Sequence, residues 1–310
     1  MRGGWLVLLA AVALAQSAAA NEAFVCRAHE ELAALEEIAG RLPNSPAERA
    51  MLSDASDGRW DEFDLLSAAL LAQDGTAAAR ERAARALERH VARLRRALAA
   101  VPEARRAEVL FGFLHEEILD GGFAADCHAI ERTLRTGEYN CLSGTLLYVG
   151  LAERCGVAAR AVLAPSHVYA RATIGGISQD IETTLPNWYG ESPLQRRQLL
   201  AAAVGGDASA GRTRAISPVE LLAVVYYNRG VEAFARRDFA GSAASNLAAL
   251  KLDPQNAPAA DNLLAAVNNW ALQAAKRGDV KTAALLLDRG RRVDPNRKDL
   301  KATARFVSGR

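Results

Sequence analysis

The chain is short of net charge, of aromatic residues and of cysteine, and each shortage narrows what it can be. A formal charge of +2 over 310 residues gives none of the basic excess that nucleic acid or an anionic bilayer recruits, so neither is expected as a partner. Aromatics make up 6% of the residues, and the abundance of Ala, Leu and Arg favours helices. The Gly-x-Ser-x-Gly elbow of serine hydrolases is missing, which leaves Ser143 and Ser166 without a motif of their own. Zinc spacing is missing too. The "HEEIL" stretch at His115 has no second His four residues on, and Cys127-His128 has no partners at ligand spacing, so no metal or cofactor is called for.

The main apolar run, Trp5 to Ala15, follows Arg2 and ends in Ser17-Ala18-Ala19-Ala20. This is the pattern of a secretory signal with an Ala-x-Ala end, and its apolar part is too short to span a bilayer. Cleavage is expected after Ala20, placing the mature chain outside the cytoplasm, secreted or periplasmic. Losing Arg2 and no acid lowers the formal charge from +2 to +1. A retained anchor is the alternative. No comparable apolar run follows, and Ala23-Phe24-Val25 before Cys26 is not a lipoprotein signal, so no stable membrane insertion is expected.

Four cysteines are present: Cys26, Cys127, Cys141 and Cys155. An even count in an exported chain is compatible with two disulfides. A Cys26–Cys127 pair would leave Cys141 free, and Cys155, late in a helix just before Gly156, reads as a small buried hydrophobe.

Residues 21–105 read as an N-terminal helical region. There "LPNSPAER" offers Ser45 as an N-cap with Pro46 in the first turn. The segment 77–101 repeats apolar residues at three and four residue spacing among Arg and Glu, an amphipathic helix with a solvated face. His90 is expected on that solvated face and His29 at the surface. Residues 106–200 change to mixed helix and strand: an apolar helix opened by Cys141 and stopped by Gly156, then strand signals in "VAARAVLAP" and "HVYARATIGGISQDIETT". Residues 201–215 have linker composition. The fold class expected is α+β, with an all-α C-terminal domain over 216–310.

That last region holds an internal repeat, about 223–256 and 264–297. Gly230, Ala233, Phe239, Ala249 and Pro254 in the first copy, with Trp270, Ala271, Gly278, Ala283 and Pro295 in the second, resemble the tetratricopeptide repeat. The two closing prolines stand further apart than the ~34 residues of that repeat, which implies a longer first helix in the second copy. Two copies need caps; the helix from Pro218 and the tail "RKDLKATARF" are the candidates.

The chemistry centres on Cys141 in "GEYNCLSGTLLY". A helix N-terminus carries roughly half a positive charge and free amides, which favour a thiolate and can hold an oxyanion. Asn140 is the expected N-cap. For a base, a hairpin closed by Gly175-Gly176 pairs Ile174 with Ile177, Thr173 with Ser178, Arg171 with Asp180, Tyr169 with Glu182 and His167 with Thr184. His167, Tyr169 and Arg171 then share a face with Asp180 and Glu182. Asp180 is expected in an ion pair with Arg171, and Glu182, diagonal to His167, as the group that orients the imidazole.

Asn140-Cys141 opening an apolar helix, Gly156-Val157-x-x-Arg160 after it, His167-Val-Tyr at a strand start and Ile-Glu182-Thr-Thr184 ending the next resemble the transglutaminase-like cysteine-protease superfamily, in its bacterial branch. The likeness covers about 106–195 and is weaker over 21–105. It implies a papain-like core, a helix packed on a small antiparallel sheet, with a triad of Cys141, His167 and Glu182 in which Glu stands for the usual Asp. It also implies acyl transfer from a polypeptide or a peptidoglycan peptide to water or to an amine. The repeats imply a protein partner, and an inert scaffold acting as adaptor is the alternative. Trp188 and Tyr189 line a substrate groove or pack on the helical half.

Overall fold

The computed structural model describes residues 18–33, 45–73, 75–205 and 213–308. The expected leader lies outside the described residues up to position 17, and helix α1 (Ala18–Ala33) runs across the expected cleavage point. The fold is mixed α+β and predominantly helical, with a small antiparallel sheet. Among the described residues no helix is long and apolar enough to cross a membrane.

Helix α2 (Pro46–Asp54) starts as expected, with the Ser45 side chain accepting from the Glu48 amide and Pro46 in the first turn. Helices α3 (Leu65–Ala72), α4 (Ala77–Leu98) and α5 (Glu103–Glu117) follow. The apolar stripe of α4, Leu87, Val91, Leu94 and Leu98, is buried as its periodicity requires. His90 is not on the solvated face. It is half-buried edge-on to Phe113 of α5, ring centroids 6.2 Å apart, and burial lowers its pKa. His29 is also half-buried, and burial lowers its pKa too.

A two-residue strand β1 (Gly122–Phe123) pairs in parallel with β2 (Glu138–Tyr139), on either side of helix α6 (Ile130–Thr136). The approach depends on glycine: a Cβ at Gly121 would stand 2.3 Å from the carbonyl oxygen of Thr136 and 2.6 Å from the amide of Glu138. Strand β2 leads directly into α7 (Cys141–Arg154), whose residues from Leu142 to Ala152 are all buried.

Strands β3 (Ala159–Ala164), β4 (His167–Ile174), β5 (Ile177–Ile181) and β6 (Arg214–Ile216) form one sheet in the order β5-β4-β3-β6, every neighbour antiparallel. Ala161, Val168, Ala170, Ala172, Ile181 and Ile216 join the main core, and β4 and β3 lie against α7. On the opposite face Val162, Ala164 and Tyr169 pack under Leu200 and Val204, at the end of helix α8 (Pro193–Ala203). The stretch 201–215 is therefore not simply a linker. Its first residues finish α8 and its last form β6, a strand too short for alternation to reveal.

Helices α9 (Pro218–Ala235), α10 (Phe239–Leu252), α11 (Ala257–Lys276), α12 (Val280–Val293) and α13 (Lys298–Ser308) pack successively on one another. Helix α11 is 20 residues long. The helix from Pro218 runs unbroken to Ala235, and it also packs on α3, α7, β3 and β6. The tail helix α13 covers α11 and α12. Helix α1, unforeseen in this role, packs on α12 and α10, with Glu31 paired to Arg289 at 3.1 Å. Arg214 of β6 ties the sheet to the repeats, bonding the buried Asp253 at 2.7 Å and also pairing with Glu220.

Candidate active site

The site is built on the first turn of α7. Asn140 caps it: its Oδ1 accepts from the amides of Leu142 at 2.9 Å and Ser143 at 3.0 Å, while Ser143 Oγ accepts from the Asn140 amide at 3.0 Å. This reciprocal box satisfies the donors of Leu142 and Ser143. The amide of Cys141 itself makes no hydrogen bond among the described residues. Cys141 is partly exposed, whereas Ser143 is buried and spent on the cap. Ser166 is exposed in the β3–β4 turn.

All four cysteines are free, so the Cys26–Cys127 pair considered above does not form. Cys26 is exposed, and Cys127 is buried with its thiol against Thr133 Oγ1 at 3.5 Å and the Glu138 carbonyl at 3.1 Å. Burial pushes both the Cys127 and the Cys155 thiols up.

The hairpin register is the expected one from Ile174–Ile177 through Arg171–Asp180, and the ladder extends to Ala170–Ile181. Gly175 and Gly176 both take positive φ, 54° and 80°, as a two-residue turn of this hand requires. The two outermost expected pairs do not form. Strand β5 ends at Ile181, and Glu182 leaves the ladder, so it faces His167 from the strand end instead of across a diagonal.

Glu182 Oε2 lies 2.6 Å from His167 Nε2, with the Glu182 side chain fully buried and that of His167 11% exposed. The other carboxylate oxygen accepts from the Thr184 amide at 2.9 Å and its hydroxyl at 2.6 Å. Cys141 is the imidazole's other side-chain neighbour. Burial depresses the imidazole, but hydrogen bonds to Cys141 and Glu182 and the negative charge of both partners outweigh it, holding the His167 pKa up at about 10. The ring therefore carries a proton at neutral pH between a sulfur and a carboxylate.

Tyr169 stacks beside the ring, centroids 6.4 Å apart and planes 21° from parallel. Arg171 and Asp180 form the expected cross-strand pair with both forks engaged, at 2.5 and 3.1 Å, and stay apart from the His167 carboxylate partner. Trp188 is buried and donates to the Asp180 carbonyl at 3.1 Å, and Tyr189 packs on Phe111 of α5. Both aromatics thus support the hairpin and the helical half.

His115 stands in the wall behind β2, its ring 5.7 Å from Tyr139 and 4.6 Å from Phe111. Burial drives its pKa down to about 4. It stays neutral near neutral pH.

Two residues at the site have roles that the sequence does not assign. Thr184 holds the orienting carboxylate, and His128 touches the cap, with Nδ1 2.7 Å from Asn140 Nδ2. In the sequence His128 stands only as one half of Cys127-His128, and no local spacing links it to Asn140. Among the described residues no group of three or more His, Cys, Asp or Glu is placed to share a metal ion.

No family model, no curated protein and no solved structure matches this chain.

Proposed function

We propose that the chain is a thiol-dependent acyl-transfer enzyme of the transglutaminase-like cysteine-protease type, with tetratricopeptide-like repeats that engage a substrate or partner. The observation that carries this reading is the imidazole of His167 set against the buried Glu182, Nε2 to Oε2 at 2.6 Å, with Cys141 as its other side-chain neighbour. The Cys141 thiolate attacks a peptide or glutaminyl carbonyl, forming the carbon–sulfur bond. The resulting oxyanion takes a hydrogen bond from the Cys141 amide, which the Asn140 cap leaves free. His167 gives its proton to the leaving amine as the carbon–nitrogen bond breaks, then removes one from the incoming water or amine. Collapse of the second tetrahedral adduct breaks the carbon–sulfur bond and expels the thiolate beside the imidazolium that the incoming nucleophile's proton has already restored. Glu182 holds the ring's orientation and stabilises the imidazolium throughout.

The substrate class is a polypeptide or a peptidoglycan peptide in the space outside the cytoplasm. A groove on the repeats lined by Arg237, Phe239, Trp270, Gln273 and Arg277 offers two aromatics and two guanidinia to a protein ligand, and this feature supports the adaptor as second reading. The deciding experiment is trapping with a thiol-directed acyl electrophile followed by mass spectrometry. An adduct on Cys141, absent in Cys141→Ala and in His167→Ala, supports the enzyme. Labelling of Cys141 no faster than of the exposed Cys26, with partner capture intact in Cys141→Ala, supports the adaptor instead.

A further inference from the structure

We propose that His128 is a positioning residue for Cys141: as a neutral imidazole it fixes the Asn140 side chain that caps the nucleophile helix, and on protonation it lets that cap go. The inference rests on the thiol-enzyme reading above, and its geometry comes from a different set of atoms.

Asn140 Oδ1 is committed to the amides of Leu142 and Ser143, which fixes which end of the side-chain amide is oxygen. Its Nδ2 then donates in the other direction, to the Ala125 carbonyl at 3.1 Å and to His128 Nδ1 at 2.7 Å. A ring nitrogen that accepts carries no proton, so the hydrogen of His128 sits on Nε2. That nitrogen faces Glu232 Oε1 of α9 at 4.0 Å. One imidazole thus stands between the cap of the nucleophile helix and the first repeat helix.

The charged groups around His128 are Asp126 on its own loop, Arg132 on α6 and Glu232 on α9. Gln73, just after α3, donates to the His128 carbonyl at 3.4 Å and accepts from the Ile130 amide at 3.0 Å, holding the main chain in place. Burial is the largest influence and lowers the His128 pKa; Glu232 and Asp126 oppose it, and Arg132 adds to it.

Adding a proton to Nδ1 sets a donor against the donor Nδ2, and the 2.7 Å contact cannot survive as a hydrogen bond. Either the ring swings toward Glu232 or the amide turns. The first leaves Nδ2 with the Ala125 carbonyl as its one remaining acceptor, and the second takes Oδ1 off its aim at Leu142 and Ser143; both loosen the turn whose first residue is Cys141. His128 touches neither sulfur nor substrate and acts through Asn140.

The test is the pH dependence of Cys141 labelling by chloroacetamide, located by mass spectrometry, in the full chain and in His128→Gln. The ¹⁵N resonance of the Asn140 side-chain amide is followed over the same range. Glutamine keeps an acceptor for Nδ2 and cannot titrate. Between pH 7.5 and 4.5 the wild-type labelling rate is expected to fall about fivefold more than that of the variant, the order of one helix cap. The Asn140 amide resonance should move with a midpoint below the usual histidine value in the wild type only. Equal profiles for the two proteins, or a wild type less sensitive to acid than the variant, overturn the proposal while leaving the enzyme reading intact. Absence of Cys141 labelling at every pH overturns both. Should His128→Gln not fold, the wild type alone decides, since an Asn140 amide resonance that stays flat while His128 titrates is incompatible with the coupling.

Discussion

The Thr184 hydroxyl lies 2.6 Å from Oε1 of Glu182, on the side of the carboxylate away from His167, which holds Oε2 at the same distance. A buried carboxylate gripped from both ends cannot rotate, and that rigidity fixes the imidazole. Glu182→Gln is expected to drop the His167 pKa from about 10 and to slow turnover by about 10²- to 10⁴-fold. Glu182→Asp keeps the charge but shortens the reach, so its loss should fall between. Titration of the His167 ring by NMR checks the first point directly; an unmoved midpoint in Glu182→Gln would remove Glu182 from the site.

The same imidazole makes stability depend on pH. Its folded pKa is raised above the ordinary histidine value, so its contribution is complete below about pH 6.5, declines as pH rises and is gone above about pH 10. Wild type should therefore exceed His167→Gln in melting temperature by more at pH 6 than at pH 10.5. A gap that widens with pH would reverse the sign argued here.

Two helical glycines should respond oppositely to a methyl group. At Gly150 of α7 a Cβ would stand 2.3 Å from Cγ of Leu66, so Gly150→Ala should destabilise by about 1–3 kcal/mol through overpacking. At Gly112 of α5 a Cβ meets nothing within 4 Å, and Gly112→Ala should stabilise by about 0.4–1 kcal/mol by restricting the unfolded chain. Urea unfolding of both variants measures the difference, and a stabilised Gly150→Ala would show that α3 and α7 pack less tightly than described.

The buried Glu48 of α2 accepts from Tyr226 and Arg229 of α9, each at 2.7 Å. Removing the cation strands a buried carboxylate, so Arg229→Met should cost about 3–5 kcal/mol. Tyr226→Phe should cost less, about 1.5–3 kcal/mol, because it removes one hydrogen bond to a charged group. Denaturant midpoints with unchanged slopes would check the ranking.

Much of the local architecture was legible because it rests on short-range rules. Ser45-Pro46, Asn140 before Cys141 and Gly175-Gly176 are each determined within four residues by capping or turn chemistry, and the structure has each as read. The meeting of His167 and Glu182 was legible for a weaker reason: alternation supplied the face, but the strand stops at Ile181 and the contact is made from beyond the ladder. Strand β6 was hidden because three residues show no period and its pairing with β3 is tertiary. The sequence puts His90 on the solvated face because its helical neighbours are charged, whereas the neighbour that covers it, Phe113, comes from another helix. His128 needed knowledge of which way the Asn140 amide points, which is settled only in three dimensions.

Arg27 of α1 donates to the main-chain oxygen of Val293 at the end of α12, 266 positions away. Closing a loop of that span is slow, and emergence from the ribosome is ordered from the first residue to the last. Helix α1 therefore waits for the α12 part of its seat until nearly all of the polypeptide has been made. Any truncation upstream of α12 uncovers the buried Val25, Ala28 and Leu32 of α1, so shortened forms missing the last two helices should be sticky and quickly degraded.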